Sequence, residues 1–418
     1  MSGLSELSEL SGLSELSESD GSLLVVVQRY GDVSGGAEAH ARQLVDRLAP
    51  HLRVEVATTT AADYWTWENV FPAGDAVVGG VPVHRFPVAR GRARDFRKRE
   101  RAAFAPARTL ADERAFVDAQ GPHSPELLEF IHSRRDDYDT FLFFTYIYEP
   151  TVYGVPLTPG RAVLVPTAHD EPAISLSVYR ALFHAPRAIA FNTEEERAMV
   201  WRRFRNERVP SEVMGVGVEL PDGISADRFR HRHGLEGPLF LYVGRIVESK
   251  GAGELFDFWA RWRDERRAGN GSPQPQATLV VAGHAEMPIP KRDDVRYLGR
   301  ISDEEKFDAY AACEALVIPS PLESLSLVTL EAWAMGKPIV CPARSRILAG
   351  MTHRAGGGLA YHSYAEFAEI LGLLLERPEV RDSLGARGRD FVARTYTWPR
   401  IVEAYRDLFA EVRARDGK

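Results

Sequence analysis

Two acidic side chains carry the strongest chemical signal: Glu323 and Glu331 stand eight positions apart in PSPLESLSLVTLEAWAMGKPIV, between one buried apolar run and the next. If a helix begins near Ser326, Glu323 lies in the loop before it and Glu331 sits a turn and a half inside. The amides of Ser326, Leu327 and Val328 would then point outward, and the positive end of the helix would favour a pyrophosphate. Glu331 has Val328, Leu330, Ala332 and Trp333 around it. A carboxylate in such company needs partners, and a pair of ribose hydroxyls would serve. Glu323 would face sugar hydroxyls. Either glutamate alone reads as a surface residue; together, between two strands, they read as one binding segment.

A second cluster lies in FLYVGRIVESKG, where Arg245 follows a buried strand and Lys250 comes five residues later, before Gly251. Both can reach one anion, Arg as a bidentate fork and Lys as a point charge. Such cations stabilise the negative charge that grows on a departing nucleoside diphosphate, without a metal. Alone, they read equally well as solvated loop charges. Two weaker signals precede them. Gly35 and Gly36 open the first helix, which is either simple turn chemistry or backbone left bare for a ligand to approach the amides. His169 follows AVLVP and precedes Asp170. It is either a satisfied structural histidine or one that hydrogen-bonds a sugar or holds a reacting hydroxyl.

The elements that must position these residues form two series. LLVVV from Leu23 reads as a buried strand, followed by the turn GDVSGG and the helical stretch AEAHARQLVDRLA. VEVATT, VPVHRF, TFLFFTY, AVLVP and AIAFN continue the pattern, with Thr193 and Glu196 spaced as a capping box after the last. The periodicity lapses in PDGISAD, where the linker is expected. A second series, PLFLYVG, ATLVVAG, VRYLG, ALVIPS and PIVCP, follows it, with Ser302 and Glu305 capping a helix. The expectation is α/β: a tail over residues 1–20, a Rossmann-like domain over 21–220, a second over 221–395, and a terminal helix over 396–418. Sheets of this kind bind ligands outside the carboxyl ends of their strands, so the site is expected in those loops, at an interdomain cleft.

Composition limits the alternatives. A chain of 418 residues with 44% hydrophobic and 27% charged residues supports two cores, and its net charge of -7 argues against general nucleic-acid binding. Arg90, Arg92, Arg94, Arg97, Lys98, Arg99, Arg101 and Arg108 nevertheless crowd one segment, with Asp95 and Glu100 as local counter-charges. The segment over 90–108 either docks on anionic lipid or a charged acceptor, or is a solvated face. Cys313 and Cys341 lack metal-site spacing and read as reduced core thiols, which fits a cytoplasmic protein. No apolar run approaches membrane-spanning length, and the start does not read as a signal peptide. The opening Leu-Ser-Glu repeat spirals its leucines around a helix, so a tail is expected, either without function or as a partner-binding helix. Leu255, Trp259 and Trp262 share a helical stripe and read as packing.

GGAE after the first strand, GRIVESKG and ESLSLVTLEA together resemble the retaining family-four glycosyltransferases of the GT-B fold. TWPRIVEAYRDLF resembles the family's terminal helix, which crosses back to the first domain. The resemblance implies transfer of a sugar from a nucleotide-sugar donor to an acceptor hydroxyl, in glycan, polysaccharide or glycolipid synthesis, with retention of configuration and no metal or other cofactor. It also implies Glu331 on the ribose, Glu323 on the transferred sugar, Arg245 and Lys250 on the diphosphate, and His169 as the cleft histidine. Many relatives carry Phe-Gly where this chain has Leu325 and Ser326; Ser326 would still present its amide and cap the helix. A nucleotide-sugar epimerase or hydrolase on the same fold is the alternative. A dinucleotide-dependent oxidoreductase is more remote, because no G-x-G-x-x-G follows the first strand.

Overall fold

The computed structural model describes residues 21–33, 35–268 and 276–416. The tail expected over 1–20 lies outside the described residues. By internal contacts the chain divides into two units. The first gathers the chain up to Phe191, residues 199–214 and everything from Val402 on; the second gathers 192–198 and 215–401.

The first unit is built on β1 (Ser22–Val26), β2 (Arg53–Thr59), β3 (Gly74–Val78), β4 (Val81–Phe86), β5 (Thr140–Phe144), β6 (Ala162–Val165), β7 (Ala188–Phe191) and β8 (Ser211–Val213). They form one sheet in the order β3-β4-β2-β1-β5-β6-β7-β8. The apolar runs LLVV, FLFF, AVLV and AIAF are buried along their whole length, as central strands covered on both faces must be. Only β3 runs antiparallel, paired to β4 across Gly79 and Gly80. Both glycines have positive φ, 61° and 81°, which a two-residue primed hairpin turn requires.

The second unit contains β9 (Leu239–Val243), β10 (Thr278–Ala282), β11 (Val295–Gly299), β12 (Ala315–Val317), β13 (Ile339–Pro342) and β14 (Gly358–Tyr361). Every pairing is parallel and the order is β11-β10-β9-β12-β13-β14. Counted within the unit this is 3-2-1-4-5-6, the doubly wound order, with its switch point between β9 and β12. Set β3 and β8 aside and the first unit has the same order, with its switch point between β1 and β5. The helix Ala252–Ala268 turns Leu255, Trp259 and Trp262 onto Phe240, Leu279 and Val281, all of them buried. Each such side chain contributes roughly 2–3 kcal/mol by leaving water, so Trp259→Ala would be among the most damaging core changes.

Local signals in the sequence take recognisable form. The Thr193 hydroxyl accepts from the Glu196 amide at 3.0 Å while the Glu196 carboxylate accepts from the Asn192 amide at 2.6 Å. Ser302 caps the helix Asp303–Ala312 by accepting from the Glu305 amide, but the Glu305 carboxylate turns to His233 at 2.7 Å instead of closing a box. Cys313 and Cys341 are buried free thiols, and burial pushes each up to about 12, so neither is a thiolate. No described helix is long and apolar enough to cross a membrane.

The basic segment separates into two sets. Arg92 lies between the Trp65 and Phe96 rings, 4.4 Å from each centroid, and donates to Gln120 and to the Tyr64 and Trp65 carbonyls. Arg97 pairs with Glu100, Arg99 with Asp95, and Arg108 with the buried Glu113, a counter-charge from the next helix that local sequence did not suggest. Arg90, Arg94, Lys98 and Arg101 remain exposed.

Candidate functional site

At the switch point of the second unit two of its expected residues, Lys250 and Glu323, meet. β9 and β12 are hydrogen-bonded neighbours, so the loops leaving their carboxyl ends start side by side. The first loop ends in a short 3-10 turn, Glu248–Lys250, and then Gly251, whose φ is 74°. A Cβ at Gly251 would lie 2.3 Å from the Pro319 carbonyl oxygen, so only glycine lets the β9 loop press against the β12 loop. That approach brings Lys250 Nζ to 2.7 Å from Glu323 Oε1 across a sequence separation of 73 residues. Neither side chain is sealed: Lys250 is 29% exposed and Glu323 15%. A ligand can therefore reach both.

Arg245 occupies the same loop but a different partner. Its guanidinium lies 3.5 Å from Glu286 on the loop after β10, and its carbonyl accepts from the Tyr242 hydroxyl at 2.6 Å. The β9 and β10 loops run together through Ile246 and Ala285, with the Ile246 amide bonded to the His284 carbonyl. Arg245 and Lys250 are thus held on one loop, Arg245 at 3.5 Å from Glu286 and Lys250 at 2.7 Å from Glu323. Burial and then the Glu323 carboxylate push the Tyr242 phenol above its ordinary pKa, so it stays a donor to the Arg245 carbonyl.

Glu331 lies in the helix Leu327–Ala334, as the spacing predicts. Its carboxylate is held at both oxygens: Lys306 Nζ is 2.8 Å from Oε1, and the Tyr310 hydroxyl donates to Oε2 at 2.8 Å. The first bond within this helix runs from the Thr329 amide to the Ser326 carbonyl, so the Leu327 and Val328 amides precede the ladder. Ser326 departs from expectation. Its side chain does not cap the helix; its hydroxyl accepts from Thr329 Oγ1 at 2.9 Å, and its backbone is left-handed, φ 70°. This is the position where the resemblance expects glycine, and the conformation explains why: a left-handed residue with a Cβ is strained by roughly 1–2 kcal/mol.

In the first unit, Gly35 and Gly36 begin the helix Gly36–Leu48 at the switch point. A Cβ at Gly35 would lie 2.0 Å from Glu38 Oε2, so the carboxylate of its own helix fills that side; beside Gly36 nothing lies within 4 Å. His169 stands on the loop after β6, half-buried, 3.9 Å from Glu171. Glu171 accepts from the Tyr146 hydroxyl at 2.9 Å, linking the loops after β5 and β6. Thr145 and Thr167, the left-handed residues that turn these loops, touch through their hydroxyls at 3.2 Å.

Comparison with known proteins places the second unit beside a family of transferases. Residues 224–391 match the family model described as Glycosyl transferases group 1. Over those residues the chain is similar to the group 1 glycosyltransferases. A D-inositol 3-phosphate glycosyltransferase of Streptomyces scabiei is 24% identical over 90% of this chain and 86% of its own. The sucrose-phosphate synthase of Thermosynechococcus elongatus superposes with a TM-score of 0.65 at 19% identity, covering 94% of this chain and all of that one. HepE of Anabaena, solved with UDP and glucose, gives 0.64 at 15% identity over the same 94% and all of its own chain. These likenesses identify the fold as GT-B.

The matched region contains Arg245, Lys250, Glu323, Ser326, Leu327, Val328 and Glu331, the whole set expected in the second unit. Sequence reasoning did not anticipate Glu286, Lys306 or Tyr310. Lys306 and Tyr310 stand at i and i+4 on their helix, so their shared face was visible; what that face meets was not.

Proposed function

We propose that this chain is a glycosyltransferase that moves a sugar from a nucleoside-diphosphate sugar to an acceptor hydroxyl with retention of anomeric configuration. The observation that carries the reading is the partly open Lys250–Glu323 pair at the switch point of the second unit, where doubly wound sheets take their ligands. Glu331 bonds the ribose, the amides from Ser326 to Val328 and the side chains of Arg245 and Lys250 hold the diphosphate, and Glu323 holds the transferred sugar. His169 of the first unit hydrogen-bonds the sugar or the reacting hydroxyl, and the bare backbone at Gly36 lets the donor approach, Gly35 beside it being screened by Glu38. The bond from the anomeric carbon to the terminal phosphate oxygen breaks with its electron pair leaving on that oxygen. The acceptor oxygen bonds the same face, and its proton passes to the departing phosphate. Arg245 and Lys250 take up the growing charge, so no metal or other cofactor is required.

The curated relatives' names make an inositol phosphate the first acceptor to try. Contact with an anionic membrane face would use Arg90, Arg94, Lys98 and Arg101, and co-sedimentation with phosphatidylglycerol vesicles tests it: charge-reversed variants should lose binding.

The donor reading is tested by thermal shift with UDP, GDP, ADP and their sugars, since a ligand that binds only the folded chain raises its melting temperature. At least one diphosphate should raise it, and Glu331→Ala should abolish the rise. No rise with any of them contradicts the reading. Release of free sugar from the donor at the same rate with and without acceptor would favour a hydrolase.

A further inference from the structure

The carboxylate at Glu331 is held more firmly than a ribose contact needs to be for binding alone. Lys306 and Tyr310 rise one turn apart from the helix Asp303–Ala312 and each takes one of its oxygens, at 2.8 Å. Tyr310 is fully buried, Lys306 is 17% exposed and Glu331 14%. Burial disfavours the Lys306 ammonium, yet Glu331 and then Asp303 together more than offset this and hold its pKa above that of free lysine. The Tyr310 phenol is pushed far up by burial and then by the same carboxylate, so it remains a donor.

This geometry has two consequences. A carboxylate offers about four lone-pair directions, and one donor at each oxygen leaves one per oxygen open while fixing the plane of the group. A vicinal diol, as in a ribose with its 2′ and 3′ hydroxyls, is bound best by two oxygens whose plane is fixed in advance. The ammonium also offsets the repulsion between this carboxylate and the diphosphate of the same ligand, which unpaired glutamate would oppose. Lys306 further reaches Asp303 at 3.1 Å, an exposed residue of the first turn, so its Nζ is anchored from two sides.

We propose that Lys306 and Tyr310 are positioning residues that preset Glu331 for a ribose diol and so make the enzyme select ribonucleotides over 2′-deoxyribonucleotides. The inference rests on the reading of Glu331 as the ribose ligand. A purely structural tie between two helices would stabilise the fold with no effect on that selection.

The test uses the full chain, titrated calorimetrically with whichever of UDP, GDP and ADP gives the largest thermal shift, and with its 2′-deoxy counterpart. Wild type should prefer the ribose form by about tenfold or more, the worth of one hydrogen bond to a charged group. Tyr310→Phe should remove most of that preference by weakening ribonucleotide binding with deoxynucleotide binding nearly unchanged, Lys306→Met should remove most of it while also weakening the deoxynucleotide to a smaller degree through the lost ammonium, and Lys306→Arg should keep it. Tyr310→Phe removes a single oxygen, so it carries the test even if Lys306→Met folds poorly. Unchanged preference in Tyr310→Phe and Lys306→Met, with the preference lost in Glu331→Ala, overturns the positioning role alone. Preference retained in Glu331→Ala, or no binding of any diphosphate to wild type, overturns the ribose reading and the inference with it.

Discussion

The two units share a strand order around their switch points but use charge there in opposite ways. In the first, Arg29 on the loop after β1 pairs with Glu38 on the following helix at 2.6 Å, with side chains only 4% and 6% exposed. Gln28 donates to the same Glu38 oxygen and Arg29 donates to the Ala62 carbonyl, so the pair is closed within the protein. In the second, Lys250 and Glu323 are as near to each other but remain open to solvent. The same topology therefore supports a sealed pair that organises a loop and an open pair that a ligand can divide. Exposure, more than the presence of opposite charges, separates the two roles.

The largest effect that would break this contrast is on stability. Arg29→Met leaves the Glu38 carboxylate buried without its cation and should cost about 3–5 kcal/mol, read from urea denaturation. Glu323→Gln should cost less than about 1 kcal/mol, because Lys250 can turn to water. Equal losses would mean that the second pair is structural too. Next, Lys250→Ala should lower turnover by roughly 100-fold with a smaller change in donor affinity, since its charge is needed most as the diphosphate leaves; steady-state kinetics on a donor found by thermal shift checks this.

Two smaller predictions sharpen the comparison. At Ser326 the left-handed backbone should make Ser326→Gly more stable than Ser326→Ala by about 1 kcal/mol, since both lose the Thr329 bond but only the alanine keeps the strain. Thermal denaturation of the pair decides it; alanine equal to glycine would remove the strain argument. The smallest concerns the first unit's sheet edge, where His84 lies between Glu55 and Asp75 at 2.8 and 2.7 Å. The bond to Glu55 and then that to Asp75, working against burial, hold the imidazole pKa above its ordinary value. A raised folded pKa contributes stability below the unfolded value near ~6.5 and loses it as pH rises through the folded one. Stability should thus fall by under about 1 kcal/mol as pH rises past that window, and His84→Gln should flatten this slope.

Much of this was legible in the sequence because burial and periodicity are local. LLVVV, TFLFF and ATLVVA are strands since runs of branched and aromatic residues fit sheets covered on both faces. The eight-residue spacing of Glu323 and Glu331 was meaningful because a loop followed by a helix has few geometries. The β3–β4 hairpin was missed although VVGGVP carries its turn, because strand β3 is mostly exposed and lacks the apolar run that marks the others. What stayed hidden was pairing across the chain. Nothing near Glu331 announces Lys306 and Tyr310, and nothing near Arg245 announces Glu286, because those partners are set by which loops the sheet order places together. Ser326 shows the converse: the departure from glycine was visible, whereas the strained backbone that gives it meaning was not.

The account turns on whether Lys250 meets the charge that develops on the leaving diphosphate. Calorimetric titration of wild type and Lys250→Ala with the free nucleoside diphosphate and with the corresponding nucleotide sugar tests this directly. The free diphosphate should lose about tenfold in affinity and the sugar-linked form clearly less, because the product bears the extra charge. Equal affinity of both proteins for the free diphosphate would contradict the assignment.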